Sequence, residues 1–107
     1  MKLTVLITQN NPEQVFTAMR FANFAIKEGD EVSVFLTAEG VELEHLEVTR
    51  FDIRGLAVSF VQAGGSIQAC GTCLKARDEE GSDICVLSNM KVMYTLVKEE
   101  ADKVVTF

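Results

Sequence analysis

"KLTVLITQNNPEQVFTAMRFANFAIKEGDEVSVFLT", Lys2 to Thr37, decides the fold. Its opening, "KLTVLIT", is rich in β-branched residues and almost unbroken in its apolar character. That pattern belongs to a parallel strand buried on both faces, because a half-exposed strand alternates. "QNNPEQ" follows. Asn11 suits a helix N-cap, Pro12 the first helical position, and Gln14 can reach back to the cap as in a capping box. Val15, Ala18, Met19, Ala22 and Ile26 then recur at helical spacing, which predicts a helix to about Glu28. Gly29 ends it, since glycine takes the left-handed conformation that closes a helix. "EVSVFLT", Glu31 to Thr37, reads as a second strand. Strand, helix and strand in this order make a right-handed crossover between parallel strands.

The same alternation continues outward. "AEGVELEHLEVTR" is ambiguous and reads as a short helix or turn from about Glu39 to Leu46. "DIRGLAVSFVQAGG", Asp52 to Gly65, reads as a helix with Ile53, Leu56, Phe60 and Val61 as its apolar stripe and two glycines at its end. "SIQAC" is a short third strand and "TCLKARDEEG" a short helix ending near Gly81. "DICVLS", Asp83 to Ser88, reads as a fourth, central strand. "SNMKVMYTLVKEEA" is a last long helix capped by Ser88 or Asn89, and "DKVVTF" a final strand. The prediction is an α/β fold with an open, mainly parallel, five-stranded sheet. No internal repeat, low-complexity segment or linker interrupts it, and the sole proline, Pro12, stands at a helix start. Residues 1–107 therefore read as one domain.

Phe16, Phe21 and Phe24 add aromatic surface to the first helix beyond its sheet-facing stripe. A helix apolar nearly all round is buried on more than one side, and here a second subunit is the expected partner.

The chain has 16 acidic and 10 basic residues, a net charge of −6. That argues against nucleic acid, whose binders need a basic face, and against an anionic membrane surface. From Glu28 to Glu47 there are seven acids and no lysine or arginine; the plain reading is a solvated face. No apolar run approaches the ~18 residues that span a membrane. The N-terminal apolar run is too short for a secretion signal, so a cytoplasmic location is expected. In that compartment three cysteines do not make a disulfide framework, and a Cys-x-x-Cys pair points to metal or redox chemistry.

That pair is Cys70 and Cys73, in "SIQACGTCLKAR", Ser66 to Arg77. Catalytic groups in open α/β sheets gather at the carboxyl ends of strands, and Cys70 falls at such an end. Thr72 is a candidate cap for the helix that follows. A helix N-terminus favours thiolate over thiol, and Lys75 and Arg77 add positive charge. Four readings compete at this level. Both cysteines can be small apolar residues at a turn. A zinc site needs four ligands, whereas the chain offers one pair, Cys85 in an apolar strand, and His45 in an acidic segment, so no metal is expected. A thioredoxin-type dithiol would by resemblance need a proline facing the pair, and Pro12 is elsewhere. The fourth reading is a nucleophilic cysteine that carries sulfur as a persulfide. Cys85 reads as core and His45 as a solvated surface residue. No phosphate-binding glycine motif is present.

These residues resemble the DsrE/DsrF-like family, which includes the DsrE and TusD sulfur-relay subunits. The likeness covers essentially the whole chain: the opening strand with "NNPEQVFTAMRFANFAIKEGDEVSVFLTAEGV", the central "IQACGTCLKAR", and the closing "SNMKVMYTLVKEEADKVVTF". The family's sulfur-carrying cysteine lies after a strand, with a basic residue seven positions on. Cys70 and Arg77 stand in that relation here. The resemblance implies a three-layer α/β/α fold of Rossmann-like topology, and assembly into trimers or hexamers of identical or homologous subunits. It also implies persulfide transfer between protein donor and acceptor, with no organic cofactor. Cys70 would carry the sulfur and Cys73 would be accessory. Thr72, Lys75 and Arg77 would support the thiolate. The chain departs from TusD-like subunits in carrying Cys73 and in being shorter, like small Cys-x-x-Cys members of the family. A non-catalytic interaction subunit and a Cys70/Cys73 redox switch remain the alternatives.

Overall fold

Three asparagine or aspartate side chains start the three longest helical segments. The Asn11 Oδ1 accepts the Gln14 amide at 3.1 Å, the Asp52 Oδ1 accepts that of Gly55 at 3.0 Å, and the Asn89 Oδ1 accepts that of Val92 at 3.0 Å. Each satisfies one of the amides that a helix start leaves without an intrahelical partner. The computed structural model describes residues 1–46 and 49–107. In chain order they form β1 (Lys2–Ile7), α1 (Pro12–Lys27), β2 (Glu31–Leu36), a 3-10 helix (Ala38–His45), α2 (Ile53–Gln62), β3 (Ser66–Cys70), α3 (Gly71–Lys75), β4 (Val86–Ser88), α4 (Met90–Thr95) and β5 (Lys103–Thr106). A π turn, Leu96–Glu100, continues α4 and is closed by the Ala101 amide on the Leu96 carbonyl at 2.8 Å.

The five strands form one sheet in the order β4-β3-β2-β1-β5, and every neighbouring pair is parallel. Val5 lies level with Val34 and Val105, Val34 with Ile67, and Cys70 with Ser88. Successive strands from β1 to β3 step one way across the sheet, so right-handed crossovers place α1 and α2 together on one face. The step from β4 back to β5 runs the other way and places α4 on the opposite face. The result is the expected three-layer α/β/α arrangement. Helices α1 and α2 touch each other, and the π turn touches β1. The core is held by Phe35, Phe60, Ile7, Met19 and Leu36, all without solvent exposure. A fully buried Phe or Leu of this kind is worth about 1.5–3 kcal/mol relative to exposure.

The structure departs from the sequence expectations in several places. Gln14 does not reach back to the cap; its Oε1 accepts from Gln9 Nε2 at 2.6 Å. Ala25 rather than Ile26 completes the buried stripe of α1, and Ala57 joins Ile53 and Phe60 in α2, with Leu56 and Val61 only partly buried. The close approach of α1 to the sheet and to α2 favours the smaller side chain at these positions. Gly29 has a φ of +97°, as a helix-closing glycine requires.

The fourth strand is neither central nor as long as expected. It has three residues at the sheet edge, and Leu87 is 60% exposed. The Ser82 hydroxyl accepts the amides of Ile84 and Cys85 at 3.2 and 2.9 Å, and the Ser82 amide bonds the Cys85 carbonyl at 2.9 Å. That turn takes residues 82–85 out of the ladder. Cys85 nevertheless is buried. The helix expected to reach Gly81 stops at Lys75, because the Arg77 and Glu79 amides both return to the Leu74 carbonyl and Asp78 turns left-handed at φ +53°. Among the described residues no helix is long and apolar enough to cross a membrane.

Of the three extra phenylalanines of α1, Phe16 stacks on Phe51 with ring centroids 4.9 Å apart, and Phe21 meets Phe107 at 5.8 Å. Phe24 is 61% exposed and lines an open groove with Arg20, Phe21, Lys27 and Leu56. The acidic stretch is exposed at Glu28, Glu31 and Glu39; its last member, Glu47, lies outside the described residues.

Candidate functional site

Because all strands are parallel, the carboxyl ends of β1, β2 and β3 share one edge of the sheet. The residues just beyond them build one site. Asn10 comes from the end of β1, Thr37, Ala38 and Glu42 from the end of β2, and Cys70, Cys73 and Arg77 from the end of β3.

Cys70 ends β3 and at once caps α3, with φ −60° and ψ 117°. Thr72 is therefore not the cap; the strand runs directly into the helix, and Thr72 becomes its second residue. Cys70 is 3% exposed, while Cys73, one helical turn on, is partly exposed. The two form a close pair of free thiols. The Cys73 sulfur points across to β2. It accepts the Ala38 amide at 3.2 Å and lies 3.9 Å from the Thr37 hydroxyl. Ala38 holds φ +50°, a left-handed conformation unfavourable to a residue with a Cβ. It is also the first residue of the 3-10 helix, where amides have no intrahelical carbonyl to bond. Gly40 lets this helix start sit against β1: a Cβ there would stand 2.0 Å from the Ile7 carbonyl oxygen.

Burial pushes the Cys73 thiol up, but it is overcome. The Ala38 amide, the Cys70 thiol, the Thr37 hydroxyl and the Arg77 charge together hold Cys73 below the ordinary value of 9.0. Hydrogen bonds to the charged form and a nearby opposite charge both favour ionisation.

Arg77 is one turn beyond Cys73 and is fixed from two sides. Its Nη1 donates to the Cys73 carbonyl at 3.0 Å and its Nε to the Glu42 Oε2 at 2.9 Å. Asn10 Nδ2 donates to the other Glu42 oxygen at 3.1 Å. Arg77 and Asn10 hold the Glu42 carboxyl below the usual range against the opposing effect of burial. Thr72 and Lys75 face elsewhere. Both are exposed and line a groove of about 770 Å³ with Glu79, Asp83 and Leu87. Cys73 and, just past the end of α3, Arg77 thus turn toward the segment after β2, while Thr72 and Lys75 line the groove on another side.

Two more groups complete the surroundings. The Ser88 hydroxyl, on the strand residue level with Cys70, is buried and has no hydrogen-bond partner among the described residues. His45 pairs with Glu79 at 3.3 Å, and the two side chains are 58% and 42% exposed. Burial and the Glu44 carboxylate push the buried Cys85 thiol far up. Among the described residues no group of three or more His, Cys, Asp or Glu is placed to hold a metal ion.

Thr37, Ala38, Glu42 and Ser88 were not singled out from the sequence. Only the rule that function gathers beyond the strands could have flagged them, because their chemistry is common and their partners lie far along the chain.

The comparisons agree with this architecture. The fold superposes on the crystal structure of the YchN protein of E. coli with a TM-score of 0.84, over 100% of both chains and at 18% identity. An uncharacterised protein of Methanocaldococcus jannaschii, MJ0989, is 33% identical over 114 residues, covering 100% of both chains. Another of Methanopyrus kandleri, MK0008, is 32% identical over 112 residues, covering 98% of this chain and 93% of that one. The model of the DsrE/DsrF-like family matches residues 1–107, and with these full-length relatives it makes the chain a member of that family.

Proposed function

We propose that this protein carries sulfane sulfur as a cysteine persulfide on the Cys70–Cys73 pair and passes it to a protein partner, with Cys70 as the position that holds it. The observation that carries the reading is the donor set around the pair. An amide on a left-handed alanine is aimed at one of two adjacent thiols, and this stabilises the thiolate that attacks sulfur electrophiles. Family membership supports the same chemistry. Arg77 tunes the thiolate, while Lys75 and Thr72, facing the groove beside β4, contact the partner. The reading places the protein in the cytoplasm.

Incubation with a small-molecule persulfide tests the proposal. Intact mass should rise by about 32 Da, one sulfur atom, in the wild type. The reading fails if the wild type gains nothing, or if Cys70→Ser holds as much sulfur, for as long, as the wild type.

The closeness of the two thiols supports a second reading, a dithiol switch. It requires a reversible Cys70–Cys73 disulfide with a defined potential, and a redox titration followed by thiol labelling measures it.

We extend the proposal to self-association through α1, on the exposure of Phe24 beside Leu56. Light scattering should give a multiple of 11.8 kDa, reduced by Phe24→Glu; a monomeric wild type would rule it out.

A further inference from the structure

The two cysteines differ in what they can meet. Cys70 is 3% exposed, so a thiol on another molecule cannot reach it without displacing the strand–helix junction. Cys73 is partly exposed and already holds the Ala38 amide and the Thr37 hydroxyl around its sulfur. Arg77, which donates to the Cys73 carbonyl at 3.0 Å, brings a positive charge beside it and is itself tied to Glu42. On the other side, the Ser88 hydroxyl is buried and unpartnered, level with Cys70. Residues level across a parallel ladder project to the same face, so Ser88 borders Cys70. A hydroxyl buried without a partner is unfavourable, and a further acceptor beside Cys70 would relieve that cost.

Resting on the carrier reading, we propose that sulfur enters at Cys73 and is stored on Cys70, with Ser88 donating to the stored persulfide. In the first step the Cys73 thiolate attacks the outer sulfur of a donor persulfide R–S–SH. The S–S bond breaks, R–S⁻ leaves, and Cys73–S–SH forms. In the second step the Cys70 sulfur attacks that same outer sulfur. Cys70–S–SH forms, the Cys73 sulfur leaves, and the proton released from Cys70 ends on the neighbouring Cys73 sulfur. Both steps exchange one S–S bond for another, so neither needs an oxidant or a reductant. Delivery reverses the order, and the reactive sulfur waits away from solvent.

The experiment is a time course of loading with a small-molecule persulfide, read by intact mass with fragment ions that locate the added sulfur. In the wild type the sulfur should appear on Cys73 first and then on Cys70. Cys73→Ser should load at least about tenfold more slowly. Cys70→Ser should lose its sulfur several-fold faster than the wild type to added cyanide. Ser88→Ala should also lose sulfur faster. If the wild type gains no sulfur, the carrier reading falls and the relay with it. If the wild type loads and Cys73→Ser keeps pace, or Cys70 is labelled first, the carrier reading stands and the relay alone is overturned. Should a variant fail to fold, the order of labelling in the wild type decides.

Discussion

The Ala38 amide donates to the Cys73 sulfur at 3.2 Å across 35 positions of sequence. The bond joins the ends of two neighbouring parallel strands, and it exists because the turn after β2 is bent left-handed at Ala38. A thiol that would otherwise be raised by burial is thereby lowered. The Ala38 amide is the largest of the lowering influences, and as a backbone group it stays in place through side-chain changes that leave the turn intact.

Gly40→Ala should break that geometry. The new Cβ would meet the Ile7 carbonyl, which is backbone and cannot swing aside. The expected cost is about 3 kcal/mol, a fall in Tm of roughly 10–20 °C for a domain this size. Cys73 should also become less acidic, as its amide donor shifts. Thermal melting and iodoacetamide rates against pH measure both; an unchanged Tm would contradict the close contact.

The Arg77–Glu42 pair should contribute modestly. Both side chains are about one-third exposed, and solvent-screened pairs of this kind give roughly 0.2–1 kcal/mol. A double-mutant cycle with Arg77→Gln and Glu42→Gln should return a coupling in that range. The Glu42 carboxyl is lowered in the folded state, so its contribution is present above the ordinary value of 4.5 and is lost as pH falls through the lowered one. Urea unfolding of wild type and Glu42→Gln should therefore converge in acid and separate toward neutral pH. Convergence at neutral pH instead would reverse the sign.

Most of the fold was legible because its signals are local. Asn11 and Pro12 announce α1, and continuous apolar runs announce β1 and β2. Strand order was not legible, since it depends on which strands pair rather than on any one of them. "DICVLS" misled for a physical reason: an apolar run looks the same in a central strand and in a turn that leads into a short edge strand. Arg77 and the cysteines were visible by chemistry and spacing. Ala38 was not, because its contribution is an amide hydrogen and a dihedral angle, which every alanine could supply and few do.

Cys85 should be inert in the native protein. It is buried, and both burial and Glu44 push its thiol up. Iodoacetamide should label Cys73 quickly and Cys85 only after denaturant is added. Cys85→Ala should leave sulfur loading intact and cost about 1–2 kcal/mol for the lost packing. Rapid native labelling of Cys85 would show that the turn at Ser82 opens readily.

Replacing Cys73 should change how stability varies with pH. The folded state holds the Cys73 thiol below 9.0, so at pH values between the folded and unfolded values the unfolded chain binds more protons. Stability then rises with pH through that window. The contribution is complete above 9 and is lost as pH falls through the folded value. Urea unfolding of the wild type and of Cys73→Ser at intervals from pH 6 to about 9.5 should show the wild type gaining stability relative to the variant as pH rises. Thr37→Val, which removes the hydroxyl 3.9 Å from the sulfur, should narrow the window without closing it, because the Ala38 amide remains. A wild type that loses ground to Cys73→Ser at alkaline pH would mean that burial, not the amide, governs this thiol.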